Sequence, residues 1–402
     1  MNNILNKTNT INLIIIITKN ANKTRILFKI TNILLIVFVL RQINIFYFTR
    51  KIGNDKLNPG EILESKYYDN FELMKSKYYN DSFLKPYLKE INILRYLYHK
   101  NYLQFKKNKN NIHICMSLNN RYVYQILVSF LSVLVNCNKE KTFITYHILC
   151  APDVTEITLS ILKSLIQKYF SNLEMIFYNM GNIFLNRIDP RISQAAYYRL
   201  LCPIILNLKK LIYLDGDTLT FKDLYSMYNI ELNDNYILGF LDIRRKGVDF
   251  LGIKSEKCVN SGVILLNLEK IRKDNKIYDL INVVNSKIKL PSQDQTIMNY
   301  IFYPKIGILP SQYGIWNFND KDDIKMYNLY LRTKININEL EESLKDPAIV
   351  HNVWCWPKIW SRHSKINFGQ QRGSNCTKYH NLWHSFAKKT NYYPEIYNIT
   401  YK

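Results

Sequence analysis

Glycine and proline are scarce in this chain, at 12 and 11 of 402 residues. Together with 47% hydrophobic and 22% charged residues, that excludes a collagen-like repeat and wholesale disorder. Paired cysteines are missing too. The seven cysteines, at 115, 137, 150, 202, 258, 355 and 376, are odd in number and contain no CxxC pair, so neither a zinc ribbon nor a complete disulfide framework is indicated. Cys376, His380 and His384 would share one helix face, with Cys355 or His363 as a fourth partner, but composition alone scatters residues in this way. No basic block of five or more occurs, although 55 Lys and Arg against 32 Asp and Glu give a formal charge of +23. The densest stretch, Lys106-Lys107-Asn108-Lys109, reads as a solvated loop. Nucleic acid is therefore not expected as a partner, because a general bias towards Lys, Asn, Ile and Tyr (31 residues) accounts for the charge without one.

Long uncharged apolar runs are also lacking. Residues 26–48 are apolar in bulk, but Lys29 and Arg41 interrupt them and leave only the eleven residues Ile30 to Leu40 without charge. A spanning helix needs about twenty mostly apolar residues. Lys and Arg near helix ends can snorkel, so 26–48 is a candidate single signal-anchor behind a polar tail, 1–25. This implies a membrane-associated, type II arrangement in the secretory pathway; a cytoplasmic chain is the alternative. Asn-x-Ser/Thr sites at Asn6, Asn22, Asn80, Asn375 and Asn398 suit a secretory lumen, yet an Asn-rich chain produces them by chance.

Residues 49–110, rich in Tyr, Lys and Asn, read as a stem or capping extension with one helix over Phe83 to Tyr98. From Asn111 the pattern changes. Apolar runs at Ile112 to Met116, Thr142 to Leu149 and Leu173 to Tyr178 read as strands; Tyr122 to Val135, Val154 to Phe170 and Ser193 to Leu206 read as helices, the last opened by Ser193 as N-cap. Strands alternating with helices predict an α/β domain with a largely parallel sheet covered on both faces.

Leu211-Ile212-Tyr213-Leu214 is a fully apolar strand that ends in Asp215-Gly216-Asp217. Open α/β sheets bind ligands beyond the carboxyl ends of their strands. Side chains at i and i+2 of an extended segment point the same way, so both carboxylates can face one cation, and Gly216 lets another group approach the backbone. Hard oxygen ligands of this kind suit Mg²⁺ or Mn²⁺ bridging phosphate oxygens, although Asp-Gly-Asp also occurs as a plain turn.

Several blocks around this strand, in order, resemble glycosyltransferase family 8, the glycogenin-like retaining transferases. They are Ser193-Gln194-Ala195-Ala196-Tyr197-Tyr198-Arg199-Leu200, the Leu211 to Asp217 strand, Asn260 to Leu268 as the Asn-x-Gly-Val strand, and Asp294-Gln295-Thr296-Ile297-Met298-Asn299. His351 with Lys358 and Trp360 resembles the closing His-Gly-Lys-Pro-Trp motif, and Trp383 to Tyr393 the terminal helix. The resemblance covers residues 111–395 and implies a GT-A type nucleotide-sugar-binding fold with a mostly parallel central sheet. It implies metal-dependent transfer of a hexose from a UDP-sugar, with retention, to a hydroxyl on a carbohydrate, lipid or protein.

By that resemblance Asp215, Asp217 and His351 hold Mn²⁺, with Mg²⁺ as an alternative. Ser117, Asn119, Arg199, Gly216, Asn260 and Lys358 contact the nucleotide sugar, Asp294 binds its sugar hydroxyls, and Gln295 stands closest to the reacting face. Asp242 is a further candidate near the acceptor. Asn119 replaces the usual acid, though its amide can accept from uracil N3-H and donate to O4. Trp354 stands where the family has glycine, and Lys358 sits one residue late behind Pro357. These departures leave a second reading open, a catalytically inactive relative that binds nucleotide sugars or acts as a scaffold.

Overall fold

A computed structural model of the chain describes residues 66–97, 106–169, 171–185, 193–242, 257–286, 288, 290–315, 336–353, 360 and 374–400. The tail 1–25, the candidate anchor 26–48, the start of the stem, Trp354, Cys355, Lys358 and His363 lie outside the described residues. Among the described residues no helix is long and apolar enough to cross a membrane.

Ten strands carry the architecture: β1 (Asn92–Leu97), β2 (Asn110–Leu118), β3 (Thr142–Cys150), β4 (Leu173–Asn179), β5 (Leu211–Leu214), β6 (Thr218–Thr220), β7 (Ile237–Leu241), β8 (Val259–Leu266), β9 (Ile306–Ile308) and β10 (Ile349–His351). Eight of them form one sheet in the order β1-β4-β3-β2-β5-β8-β7-β9. Six run in one direction. Only β1, antiparallel to β4, and β8, antiparallel to both β5 and β7, oppose them. Every residue of β3, β5 and β8 is buried, as expected of largely apolar strands covered on both faces. One face packs on Tyr198, Leu200, Ile204 and the helix Gln293–Phe302, the other on the helices Val123–Asn136 and Glu156–Tyr169.

The 49–110 extension is in part built into this sheet. Phe71, Leu84, Leu88 and Ile91 pack against Tyr178 and Ile204 in one core cluster, and β1 pairs with β4 from Asn92↔Asn179 to Leu97↔Met175. The single helix expected over Phe83 to Tyr98 is corrected. The helix is Lys85–Glu90, opened by Pro86 in its first turn, and the chain is extended from Asn92. Leu84, Leu88 and Ile91 keep helical spacing only up to Ile91, where the edge of β4 offers a ladder of backbone partners instead. The Ser193 to Leu206 segment is also corrected. It is a 3-10 helix over Gln194–Leu201 followed by a short α-helix, Cys202–Ile205, and Ser193 makes no side-chain cap. Likewise the terminal helix expected over Trp383 to Tyr393 is two helices, Ser374–Ala387 and Tyr393–Thr400.

A two-stranded sheet outside the main one decides the site. β10 pairs antiparallel with β6, bringing His351 opposite Thr218. β6 is tied to the helix Val123–Asn136 by polar groups on an otherwise apolar face. Ser129 Oγ meets Thr218 Oγ1 at 2.9 Å, Ser132 Oγ accepts from Thr220 N at 2.9 Å, and Asn136 Nδ2 donates to Thr220 O at 2.9 Å. An unpaired buried donor or acceptor is costly, so these side chains fix the strand that follows the aspartates.

Candidate functional site

The carboxyl end of β5 carries Asp215, and its ladder with β8 continues one step further through Asp215 N donating to Gly262 O at 2.8 Å. Asp217 follows in the turn into β6, where its carbonyl accepts from Asn352 N at 3.0 Å and Asn352 Nδ2 at 2.9 Å. His351, 134 residues later in the chain, reaches Asp217 Oδ1 with Nε2 at 3.0 Å and lies 3.8 Å from Asp215 Oδ2. One ligand atom from each of Asp215, Asp217 and His351 falls within 4.8 Å of the other two, the one such cluster of acidic, His or Cys groups found among the described residues.

Two observations fit this cradle to a divalent cation. Two carboxylate oxygens and an imidazole nitrogen make a hard donor set with room for further ligands. Gly262 faces them, and a Cβ there would lie 2.1 Å from His351 Cε1 and 2.6 Å from Asp215 Oδ2, so only glycine leaves the space open. The sequence signal for this role was a lone glycine inside an apolar strand, which marks a close approach. At Gly216 it is the Ile126 side chain that approaches the backbone: a Cβ there would meet Ile126 Cγ1 at 2.7 Å.

Arg199 is buried and joins both acidic groups. Nη2 contacts Asp215 Oδ1 at 2.8 Å and Nε contacts Asp294 Oδ2 at 3.2 Å, while Nη1 donates to Ser261 O. Its guanidinium also lies over the Tyr213 ring at 4.1 Å, and Tyr213 Oη donates to Ser117 Oγ at 3.1 Å. Burial works against the charge, but Asp215, Tyr213 and Asp294 outweigh it and hold the guanidinium above its ordinary range. Burial instead pushes Asp294 up to about 6; Arg199 opposes this and the Asp215 charge adds to it.

Gln295, Asn260 and Asp242 form a second buried group. Gln295 Oε1 accepts from Asn260 Nδ2 at 3.0 Å and Ser261 N at 3.2 Å, and Gln295 Nε2 donates to Asp242. Asp242, expected near the acceptor, thus orients the Gln295 amide, because a carboxylate can only accept from it. Ser261 Oγ donates to Asp294 at 3.3 Å, a contact the sequence did not single out. Asn119 Oδ1 accepts from Tyr122 N at 3.1 Å, capping a short 3-10 turn, and keeps a second lone pair. Lys358 cannot be placed, as it lies outside the described residues.

Residues 113–363 match Glycosyl transferase family 8, more than half of the chain. The chain belongs to that family. A putative glycosyltransferase of Haemophilus influenzae is 30% identical over 265 residues, 62% of this chain and 73% of its own length. A lipopolysaccharide 1,2-glucosyltransferase of Escherichia coli is 26% identical over 235 residues, 55% of this chain and 67% of its own. Among solved structures, the galactosyltransferase LgtC in complex with donor and acceptor sugar analogues is 18% identical, with a TM-score of 0.55, and the match covers 70% of this chain and 96% of that one. The bifunctional glycosyltransferase WbbM gives a TM-score of 0.58 at 18% identity, over 72% of this chain and 51% of that one. The fold is therefore the GT-A glycosyltransferase fold, and the activity class is glycosyl transfer.

Proposed function

We propose that the protein transfers a hexose from a UDP-sugar to a hydroxyl of a carbohydrate, lipid or protein acceptor, with retention at the anomeric carbon. The observation that carries this reading is the convergence of Asp215, Asp217 and His351 beside the Arg199–Asp294 pair. When bound by those three residues, Mn²⁺ would supply Lewis-acid neutralisation of the charge growing on the leaving diphosphate. Arg199 holds Asp215 towards that position and Asp294 towards the donor sugar, so the two parts of the substrate are set by one buried cation. Asp294 accepts from sugar hydroxyls in its ionised form. Asn260 binds on the same side, Ser117, Asn119 and Gly216 line the nucleotide end, and Lys358 would add positive charge on the leaving group.

Retention normally calls for a carboxylate nucleophile. Gln295 is the residue nearest the reacting face by resemblance, and its amide is a poor nucleophile with both ends engaged, by Asn260 and Ser261 at one and Asp242 at the other. This supports front-face displacement, in which the departing phosphate oxygen takes the proton of the acceptor hydroxyl. The apolar segment 26–48 would hold the enzyme at a membrane, and resistance of the full chain to carbonate extraction tests that placement.

The function is tested by incubating the purified full chain with a panel of UDP-sugars, with Mn²⁺ or with EDTA. One donor should be hydrolysed or transferred in Mn²⁺ and none in EDTA. UDP binding without turnover of any donor would favour the inactive, nucleotide-sugar-binding alternative.

A further inference from the structure

Four non-glycine residues among those described have left-handed backbone: Phe184, Asn233, Asn275 and Gln293. Asn tolerates this conformation because its short amide can bond locally; a residue as long as Gln has no such excuse. Gln293 has φ 45°, is buried, and comes directly before Asp294 at the start of the helix Gln293–Phe302. Ser292 contributes no side-chain cap to that helix; its backbone N–H donates to Thr296 Oγ1 at 3.2 Å, and its carbonyl accepts from Gln295 N at 3.0 Å and Thr296 N at 3.4 Å. The Gln293 backbone N–H donates to Leu290 O at 3.3 Å, and its side chain is held across the site, where Oε1 accepts from Tyr197 Oη at 2.8 Å. The Tyr197 ring is itself buried beside Phe184, with centroids 6.0 Å apart.

Tyr197 lies two residues before Arg199 on the 3-10 segment Gln194–Leu201. The two residues make parallel cross-links to the same helix start, Tyr197 to Gln293 and Arg199 to Asp294. Strained backbone persists at functional sites only where its surroundings over-determine it. We propose that Tyr197 is a positioning residue: its hydroxyl holds Gln293 in the left-handed conformation and so sets the Asp294 carboxylate where Arg199 and Ser261 meet it. The catalytic consequence rests on the reading that Asp294 grips the donor sugar, whereas the conformational one does not.

Tyr197→Phe keeps the ring and removes only the donor. Its crystal structure should show Gln293 outside the left-handed region and the Arg199 Nε to Asp294 Oδ2 contact opened beyond about 4 Å, the usual limit of an ion pair. UDP-sugar turnover should fall about tenfold or more, the scale of loss when a substrate-positioning group shifts. Mn²⁺-dependent UDP affinity, which involves no hydroxyl of the donor hexose, should stay within about twofold, well under 1 kcal/mol. In a Gln293→Gly background, where glycine takes φ 45° without strain, Tyr197→Phe should have no further effect. Unchanged backbone at Gln293 and Asp294 in the Tyr197→Phe crystal would overturn the proposal, as would parallel loss of UDP affinity and turnover, or an equal loss in the glycine background. Failure of the wild-type chain to turn over any nucleotide sugar would reject the proposed function instead, and the crystallographic comparison would still decide the role of Tyr197.

Discussion

Gly262 and His351 stand so close that a single methyl group on Gly262 would lie 2.1 Å from His351 Cε1 and 2.7 Å from Nε2. The two residues come from different sheets, β8 of the main sheet and β10 of the small one, and both border the space beside Asp215. The ligand cradle therefore depends on the absence of a side chain as much as on the three side chains present.

Gly262→Ala should accordingly abolish metal binding. No neighbour can yield cheaply, because His351 is held by the β6–β10 pairing and Asp215 by Arg199. Calorimetric titration of Mn²⁺ into the protein with UDP should show affinity reduced at least about tenfold, with a stability loss of about 1–3 kcal/mol from overpacking. Wild-type affinity in the alanine variant would disprove the cradle.

Asp217→Asn removes one ligand charge while conserving shape. Transfer should be lost and the circular dichroism spectrum retained, since an amide is a far poorer cation ligand. Retained activity, or full wild-type activity in excess EDTA, would sink the assignment of Asp217, which pairs with His351 at 3.0 Å.

Asp294 gives a pH dependence. Its folded pKa is raised by burial to about 6 from the ordinary 3.8, so the folded state holds its proton more tightly than the unfolded state does. The associated stability is fully present below about pH 4 and is lost as pH rises through about 6. Asp294→Asn lacks this loss. The stability of the variant relative to wild type should therefore rise between pH 4 and pH 7, by on the order of 2 kcal/mol. Denaturant melts of both proteins at each pH measure it, and a difference independent of pH would refute the raised pKa.

Residues 66–97 should prove indispensable to the domain. A chain beginning at residue 106 loses Phe71, Met74, Leu84, Leu88 and Ile91 from the core and strips β1 from the edge of β4. At about 1.5–3 kcal/mol for each buried apolar side chain, that rivals the whole stability of an ordinary domain. Chains of residues 66–402 and 106–402 should differ by a cooperative thermal transition that only the longer one shows. Equal melting curves would count against this part of the fold.

The local pattern of the sequence settled the strands β2 to β5, since fully apolar runs bounded by polar turns have no other stable place than a sheet covered on both faces. It also singled out Asp215 and Asp217 as two carboxylates just past the carboxyl end of an apolar strand, although it is the tight turn between β5 and β6, closed by Thr218 N donating to Asp215 O at 3.2 Å, and not extended chain, that holds them together. His351 was recognisable only through family resemblance. A lone imidazole 134 residues away carries no local signal, and it reaches the aspartates because β10 pairs with β6. The same holds for Arg199, which family resemblance alone singled out and whose side chain meets Asp215, Asp294 and Ser261 O only once the 3-10 segment is packed beside them. The Phe83 to Tyr98 segment was misread for the mirror-image reason: its helical spacing is real up to Ile91, but the unpaired edge of β4 decides what the next six residues become. Periodicity and turn chemistry act over a few residues and can be read from the chain. Ion pairs, left-handed strain at Gln293 and the void at Gly262 exist only once distant segments are packed together, so tertiary structure alone decided them.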